Sequence, residues 1–454
     1  MTFFIYGPFK FLKTAFIVKY HDLFGGKVKS LLKKHSIPIK IIENINDDDF
    51  ISFIKLQKVD LIISNNCPQR LNQKLLDSSS KGAINLHLGK LPAYRGVFPV
   101  LHAIINNEPN FRNFMKTGLL LINLGTPDSP STADVRSYLR EFLSDPRVID
   151  LPFLGRWLLL NLIILPFRPR RSAKAYKSIW TEEGSPLKVE GMKLTSGLNQ
   201  FLKQDQVPVV LAMRYGNPSI DKGLKELKNL GCDRLLILPL FPQYASSTTG
   251  SALEAVYRMA GHDCNIPMLE VLPPFFDHPS FIKAFAKQGT SFCENSPPDH
   301  VLFSFHGLPE RHLIRGDEEN HGCLQKNNCC LSVVEGNRYC YRAHCFKTAA
   351  LIASELKLEG ERWSVSFQSR LGRAEWIKPY TETRIRELAR NGVRRLVVFC
   401  PSFVADCLET LEEIQIEGKE IFLEEGGESL EMVPSLNASP DWIEGLAEMV
   451  RAKL

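Results

Sequence analysis

Val301 to Glu310 reads VLFSFHGLPE, in which five mostly apolar residues run into His306 and are stopped at once by Gly307, Leu308 and Pro309. An apolar run without polar alternation that ends on a turn is the pattern of a strand buried on both faces. Such strands belong to parallel sheets covered by helices on each side. In an open parallel sheet, ligands bind beyond the carboxyl ends of the strands, so His306 is delivered to the place where such folds do chemistry; a packed loop histidine is the alternative.

The pattern recurs along the chain. Gly118 to Leu124, Val209 to Arg214, Arg234 to Leu240, Trp363 to Gln368 and Arg394 to Phe399 are further apolar runs, while Ser131 to Phe142 and Lys222 to Asn229 carry helical spacing. Strand and helix alternate, which predicts an α/β fold of two doubly wound parallel-sheet domains, residues 118–290 and 291–454, with a cleft between them. A helix from Pro440 to Leu454 packs back on the body. After Arg395 to Pro401 comes SFVADCLETLEEI, where Asp406, Glu409 and Glu413 recur at three and four positions and would share one helical face. A carboxylate stack of that kind can guide cations or protons.

Residues 1–117 differ in charge. They hold 17 Lys or Arg against 8 Asp or Glu, a net of +9, whereas the remainder holds 39 against 42, a net of −3. The basic residues are scattered without interleaved aromatics, so nucleic acid is not indicated as a partner. Strands at Phe11 to Val18, Ile39 to Ile42 and Val59 to Ser64, with helices at Gly26 to His35 and Asp49 to Lys58, predict an incomplete N-terminal α/β unit with parallel pairing. No secretory signal is expected at the start, because Lys10 and Lys13 interrupt the apolar residues and no cleavage site follows.

The chain from about Gly118 to Leu454 resembles the ferrochelatase family, whose members insert ferrous iron into a porphyrin in heme biosynthesis. The resemblance is carried in order by LLLINLGTP (Leu119 to Pro127), GSPL (Gly184 to Leu187), MRYGNP (Met213 to Pro218), LPLFPQYASSTTGS (Leu238 to Ser251), FSFHGLPE around His306, and FVADCLETL (Phe403 to Leu411). It implies that His306 and Glu409 are the catalytic, metal-handling pair, with Asp406 and Glu413 extending the metal and proton path. Where the family often has a histidine, this chain has Cys407. A neutral imidazole can accept a proton or bind iron near neutral pH; which of His306 and Glu409 first holds iron is left open by residue type.

The porphyrin site is expected to draw on several further residues. Leu151 to Phe167 is apolar but too short to span hydrocarbon, and a basic stretch with Arg168, Arg170, Arg171, Lys174 and Lys177 follows. It resembles the family's membrane-associated lip, which implies a cytoplasmic protein touching the inner membrane peripherally; a buried hairpin with a solvated basic edge is the alternative. Arginine forks suit propionates, and Arg168 fits the family's spacing to Tyr176. Ser185, Arg214, Tyr215 and Tyr244 complete the substrate-binding set, although Arg214 can equally hold a structural carboxylate. Protoporphyrin suits an apolar lip; coproporphyrin stays open, as does oligomeric state.

Five of the eleven cysteines, Cys323, Cys329, Cys330, Cys340 and Cys345, lie close together among polar neighbours. Zinc or no metal are open readings. The insertion resembles that of bacterial ferrochelatases with a 2Fe-2S cluster, which implies Cys323, Cys330, Cys340 and Cys345 as ligands and Cys329 as the spare. A second resemblance concerns GAINLHLGKLPAYRG, Gly82 to Gly96, which is similar to formyltransferases and implies Asn85 and His87 as its NxH pair. The aspartate that this chemistry needs does not follow, which predicts a partial, vestigial unit rather than a bifunctional enzyme. Cobalt or nickel chelatases and noncatalytic tetrapyrrole binders are the remaining alternatives.

Overall fold

A computed structural model describes residues 116–294, 297–318, 322–326, 328–370, 372 and 374–454, and ahead of them 2–6, 12–18, 39–42, 46–56, 61–65, 72–78 and 83–86. The chain divides into two compact units, Met1–Pro109 and Asn110–Leu454.

The first unit holds a five-stranded sheet of β1 (Thr2–Tyr6), β2 (Leu12–Val18), β3 (Ile39–Ile42), β4 (Leu61–Asn65) and β5 (Ala83–Leu86), in the order β3-β2-β1-β4-β5. Pairing is parallel at β2/β3 and β4/β5, as the alternation predicts. Central β1, which the sequence reading missed, is antiparallel to both neighbours. The short link from Tyr6 to Leu12 permits only a hairpin, because a parallel return needs a crossover of a dozen residues or more. The helix Asp48–Leu56 buries Phe50, Ile51 and Ile54. Asn85 lies in β5, while His87 and the helix expected at Gly26 to His35 fall outside the described residues.

The second unit contains two four-stranded sheets, both wholly parallel. One joins β6 (Thr117–Thr126), β7 (Val209–Gly216), β8 (Arg234–Pro239) and β9 (Met268–Val271) in the order β7-β6-β8-β9. The other joins β10 (His300–His306), β11 (Trp363–Gln368), β12 (Arg395–Phe399) and β13 (Ser429–Met432) in the order β11-β10-β12-β13. Both sheets thus repeat the order second, first, third, fourth. That order reverses the direction of winding at the first strand and opens a crevice beyond the carboxyl ends of the first and third. The edge strands β9 and β13 escaped the sequence reading because they are short and each carries a glutamate, Glu270 or Glu431.

Alternate residues of the central strands face different cores, which explains why the runs are apolar throughout. Leu119 and Leu121 face one core, Leu120 and Ile122 another. Val301, Phe303 and Phe305 join the core of Leu119 and Leu121, whereas Leu302 faces the opposite side. One continuous hydrophobic core is therefore shared by the two sheets. The closing helix Pro440–Arg451 contributes Trp442, Leu446 and Val450 to it.

Candidate active site

β10 ends on His306, which stands opposite Gln368 at the end of β11. The backbone of His306 is held from both sides. Its N–H donates to Ser402 Oγ at 3.2 Å, and its carbonyl accepts the Tyr341 hydroxyl at 2.7 Å. The ring Nδ1 lies 2.6 Å from the Gly307 carbonyl oxygen. A carbonyl can only accept, so this contact puts the proton on Nδ1 and leaves Nε2 with its lone pair. Gly307 is required by space: a Cβ there would lie 2.8 Å from the Gln368 carbonyl oxygen. Phe403 and Trp376 flank the imidazole at 6.2 and 6.5 Å between ring centroids.

The acidic segment follows β12. Its helix starts at Leu408 and passes at Leu411 into a π-helical stretch, Leu411–Gly418. Asp406 precedes the helix, so the three carboxylates do not share the α-helical face that their spacing suggested. The Asp406 side chain accepts from Thr410 Oγ1, Ser435 N–H and Asn437 Nδ2 at 3.1, 3.1 and 2.7 Å, which fixes the loop. Glu413 is different. Ser369 donates to it from both backbone N–H, at 2.6 Å, and hydroxyl, at 2.5 Å, and does so from a left-handed backbone with φ of 67°. Gln368 Nε2 bridges the Glu409 carbonyl at 2.6 Å and Glu413 Oε2 at 3.3 Å. Burial pushes the Glu413 carboxyl up and the Glu409 charge adds to this, against the Ser369 donors and His306. The strand end bearing His306 and the acids Glu409 and Glu413 are thereby joined through Gln368. Cys407 is buried against Leu187 and Ala405, and burial, reinforced by Glu409, keeps its thiol protonated.

The helix Leu165–Ile179 packs Tyr176 in a cluster with Tyr138 and Tyr215, against which Leu408 and Leu411 lie. Arg168, on the same helix, is mostly buried; burial and Arg171 pull its basicity down while Tyr176 and Glu409 oppose this. Ahead of it Phe153, Leu154, Leu162, Ile163 and Phe167 are exposed, Phe153 by 74% and Phe167 by 75%. No helix among the described residues is long and apolar enough to cross a membrane.

Arg214 and Tyr215 sit in a closed network. Arg214 donates to Asp145 at 2.7 Å and to Ser251 Oγ at 2.7 Å, and the hydroxyls of Tyr215 and Ser251 donate to the same Asp145 oxygen at 2.9 and 2.5 Å. Burial pushes Asp145 up, but the donors Ser251, Arg147 N–H and Tyr215 and the Arg214 charge hold it below the usual carboxylate range. Arg214 thus holds a structural carboxylate. Ser185 is also engaged, with its hydroxyl 2.8 Å from that of Thr126 at the end of β6.

Tyr244 faces a cavity of about 630 Å³ between the halves, lined also by Ser246, Tyr339, Cys323, Cys329, Cys330 and Cys340. Cys330 Sγ lies 3.8 Å from Cys340 Sγ and 3.3 Å from Cys329 Sγ, and Leu324 N–H donates to Cys329 Sγ at 3.4 Å. The Cys323 side chain lines the same cavity. Cys345 is fully buried in the shared core instead. The edge of a thiolate tetrahedron with 2.3 Å metal–sulfur bonds is roughly 3.7 Å. The Cys330–Cys340 pair fits it, although no three metal-binding groups among the described residues converge into a cage. Adjacent Cys329 and Cys330 turn both sulfurs to one side, so Cys329 lies as close to Cys330 as a ligand would.

Tyr341, Gln368, Ser369 and Ser402 were missed by sequence reasoning. Gln368 ends a strand paired with that of His306, which was a usable signal; Tyr341 and Ser402 act on His306 from elements remote in sequence and gave none.

The family model for ferrochelatase matches residues 116–454. A ferrochelatase of Coxiella burnetii (strain CbuG_Q212) is 48% identical over 343 residues, covering 76% of this chain and 95% of that protein. One of Ectopseudomonas mendocina (strain ymp) is 50% identical over 329 residues, 72% of this chain and 95% of that protein. Among solved structures, SirB from Bacillus subtilis with Fe3+ aligns with 74% of this chain and 95% of its own at 11% identity and a TM-score of 0.42.

Proposed function

The chain belongs to the ferrochelatase family, inserting ferrous iron into a porphyrin, and from that premise we propose that it metallates protoporphyrin IX with His306, Glu409 and Glu413 handling iron and protons. Insertion releases two pyrrole protons, so the site needs a base facing the ring and an acceptor that can pass protons on. His306 supplies the first: with Nδ1–H engaged by Gly307, Nε2 carries the lone pair. Glu413 supplies the second, because burial beside Glu409 favours its protonated form. The single observation that carries the reading is the Gln368 bridge from the strand register of His306 to the Glu409 carbonyl and the Glu413 carboxylate. Asp406 and the Arg214–Asp145–Tyr215 group hold the walls. Arg168 is the propionate-binding arginine, and Ser185 and Tyr244 line the substrate path. The exposed apolar residues from Phe153 to Phe167 rest on the cytoplasmic membrane face.

The cysteine group holds a 2Fe-2S cluster, with Cys323, Cys330, Cys340 and Cys345 as the ligands that the family resemblance implies and Cys329, 3.3 Å from Cys330, as the competing fourth. Soft thiolate donors suit iron, and such a cluster would tie down an insertion with few large apolar residues. Ferrous insertion involves no net electron transfer, so the cluster is structural or sensory. Residues 1–117 are a partial formyltransferase-like unit that takes no part in chelation. The test is incubation of purified protein with ferrous iron and either protoporphyrin IX or coproporphyrin III, following product absorption; faster turnover of coproporphyrin would reverse the substrate assignment. Iron and acid-labile sulfide analysis tests the cluster, and one zinc without sulfide would replace it.

A further inference from the structure

The first turn of the helix Tyr341–Glu355 connects the cysteine cavity with the strand end that carries His306. Cys340 is the residue that caps this helix, and its thiol lies 3.8 Å from that of Cys330. The next residue, Tyr341, is buried in the shared core and donates its hydroxyl to the His306 carbonyl at 2.7 Å. The same hydroxyl lies 3.1 Å from Ser402 Oγ, which accepts the His306 N–H. Three residues further on, His344 stacks on Phe276 at 3.7 Å and accepts the Tyr244 N–H, so the turn itself is firmly seated.

We propose that Tyr341 is a positioning residue for metal insertion, and that the cysteine site acts on His306 through it. The carbonyl it grips belongs to the His306–Gly307 peptide. Fixing that peptide plane fixes the carbonyl that follows, which is the acceptor of the Nδ1 proton. With the hydroxyl gone, the plane is held only at its other end, where Gly307 N–H donates to the Gln368 carbonyl at 2.8 Å; it tilts about that bond, the Nδ1–H bond loosens, and the proton spreads between the two ring nitrogens. A proton on Nε2 removes the lone pair that faces the pyrrole hydrogens. Displacing Cys340 shifts the cap and, with it, the neighbouring tyrosine. This second step rests on the cysteines holding a metal or cluster; the first does not.

The experiment uses the full chain labelled with 15N-histidine in mildly alkaline buffer, with no metal substrate added. In the wild type, His306 gives the separated pair of nitrogen shifts of an Nδ1–H tautomer. Tyr341→Phe moves both signals toward the averaged values, and kcat falls about 10-fold while the porphyrin KM stays within roughly 2-fold. Ser402→Ala, which removes the bridge, shifts the signals in the same direction and serves if Tyr341→Phe does not fold. Cys340→Ser shifts them too, but adds nothing in the Tyr341→Phe background. An unchanged tautomer in Tyr341→Phe overturns the positioning role, and additive effects of the two substitutions overturn the coupling. Absence of any metal and of sulfide from the wild-type protein would defeat the cluster reading and the coupling with it, leaving the Tyr341→Phe result to stand or fall separately.

Discussion

The two sheets of the second unit share strand order and direction, yet the polar residues beyond their strands are employed in opposite ways. In the first half, Asp145, Arg214, Tyr215 and Ser251 satisfy one another, and the set is buried apart from the edge of Arg214. In the second half, donors grip backbone carbonyls and the carboxylates of Asp406 and Glu413, while among the described residues no hydrogen bond reaches His306 Nε2. A fully satisfied network specifies one rigid arrangement; a partly satisfied, buried one keeps groups ready to change protonation. On the proposed assignment, one repeat of the fold serves as wall and the other as chemistry.

The largest separation between the halves is expected in His306→Ala. Removing a positioned base costs about 10³-fold in kcat, while loss of a partly buried side chain at the end of its strand leaves the thermal midpoint close to wild type. Steady-state turnover with ferrous iron and protoporphyrin IX, beside a melting curve, checks both. Turnover near wild type in the folded variant would break the assignment of chemistry to the second half.

Asp145→Ala should do the reverse. It leaves the largely buried Arg214 cation without its partner, which costs about 3 kcal/mol of stability, and urea unfolding measures this directly. The folded fraction should retain much of its turnover per molecule. A stable variant with abolished turnover would show that the first half also carries chemistry.

How far this division could be read from sequence depends on the range of the interactions. Strands such as Leu119 to Ile122 and Val301 to Phe305 announce themselves because both faces are covered, so every position is apolar. His306 was legible because it ends such a strand. Asp406 was misread as a member of the stack, since α-helical spacing was assumed where the chain has a cap followed by a π-helical stretch. Asp145 went unread: its side-chain partners Arg214, Tyr215 and Ser251 are 69 and more residues away, and nothing local marks a carboxylate that will meet an arginine across a sheet. Ser369 likewise needs its left-handed backbone to reach Glu413, a conformation that its residue type does not foretell.

A smaller effect is expected for Glu413→Gln. The amide keeps the shape and can still meet the Ser369 hydroxyl, but it cannot take a proton, so kcat should fall about 10-fold. The kcat profile should also lose the dependence on pH contributed by a carboxyl raised above its usual range. Unchanged kcat and an unchanged profile would confine Glu413 to a structural role and make the second half resemble the first.

Glu412→Gln gives the smallest and most discriminating test of the comparison, because Glu412 is an acid of the second half outside the Ser369 cradle. Burial, with the charges of Glu417 and Glu413, pushes it from 4.5 up to about 7, against the pull of Arg171. A carboxyl that binds its proton more tightly folded than unfolded contributes stability that is complete below the unfolded value and lost as pH rises through the folded one. Wild-type stability should therefore decline between about pH 4.5 and 7 by on the order of 1 kcal/mol, once solvent screening of this half-exposed group is allowed for. The glutamine cannot ionise and escapes that decline, so the variant should be the more stable of the two above pH 7 and level with wild type in acid. Urea midpoints at both ends of the range measure the difference. Curves that stay superimposed throughout would mean that the acids of the second half are compensated as fully as Asp145 is in the first.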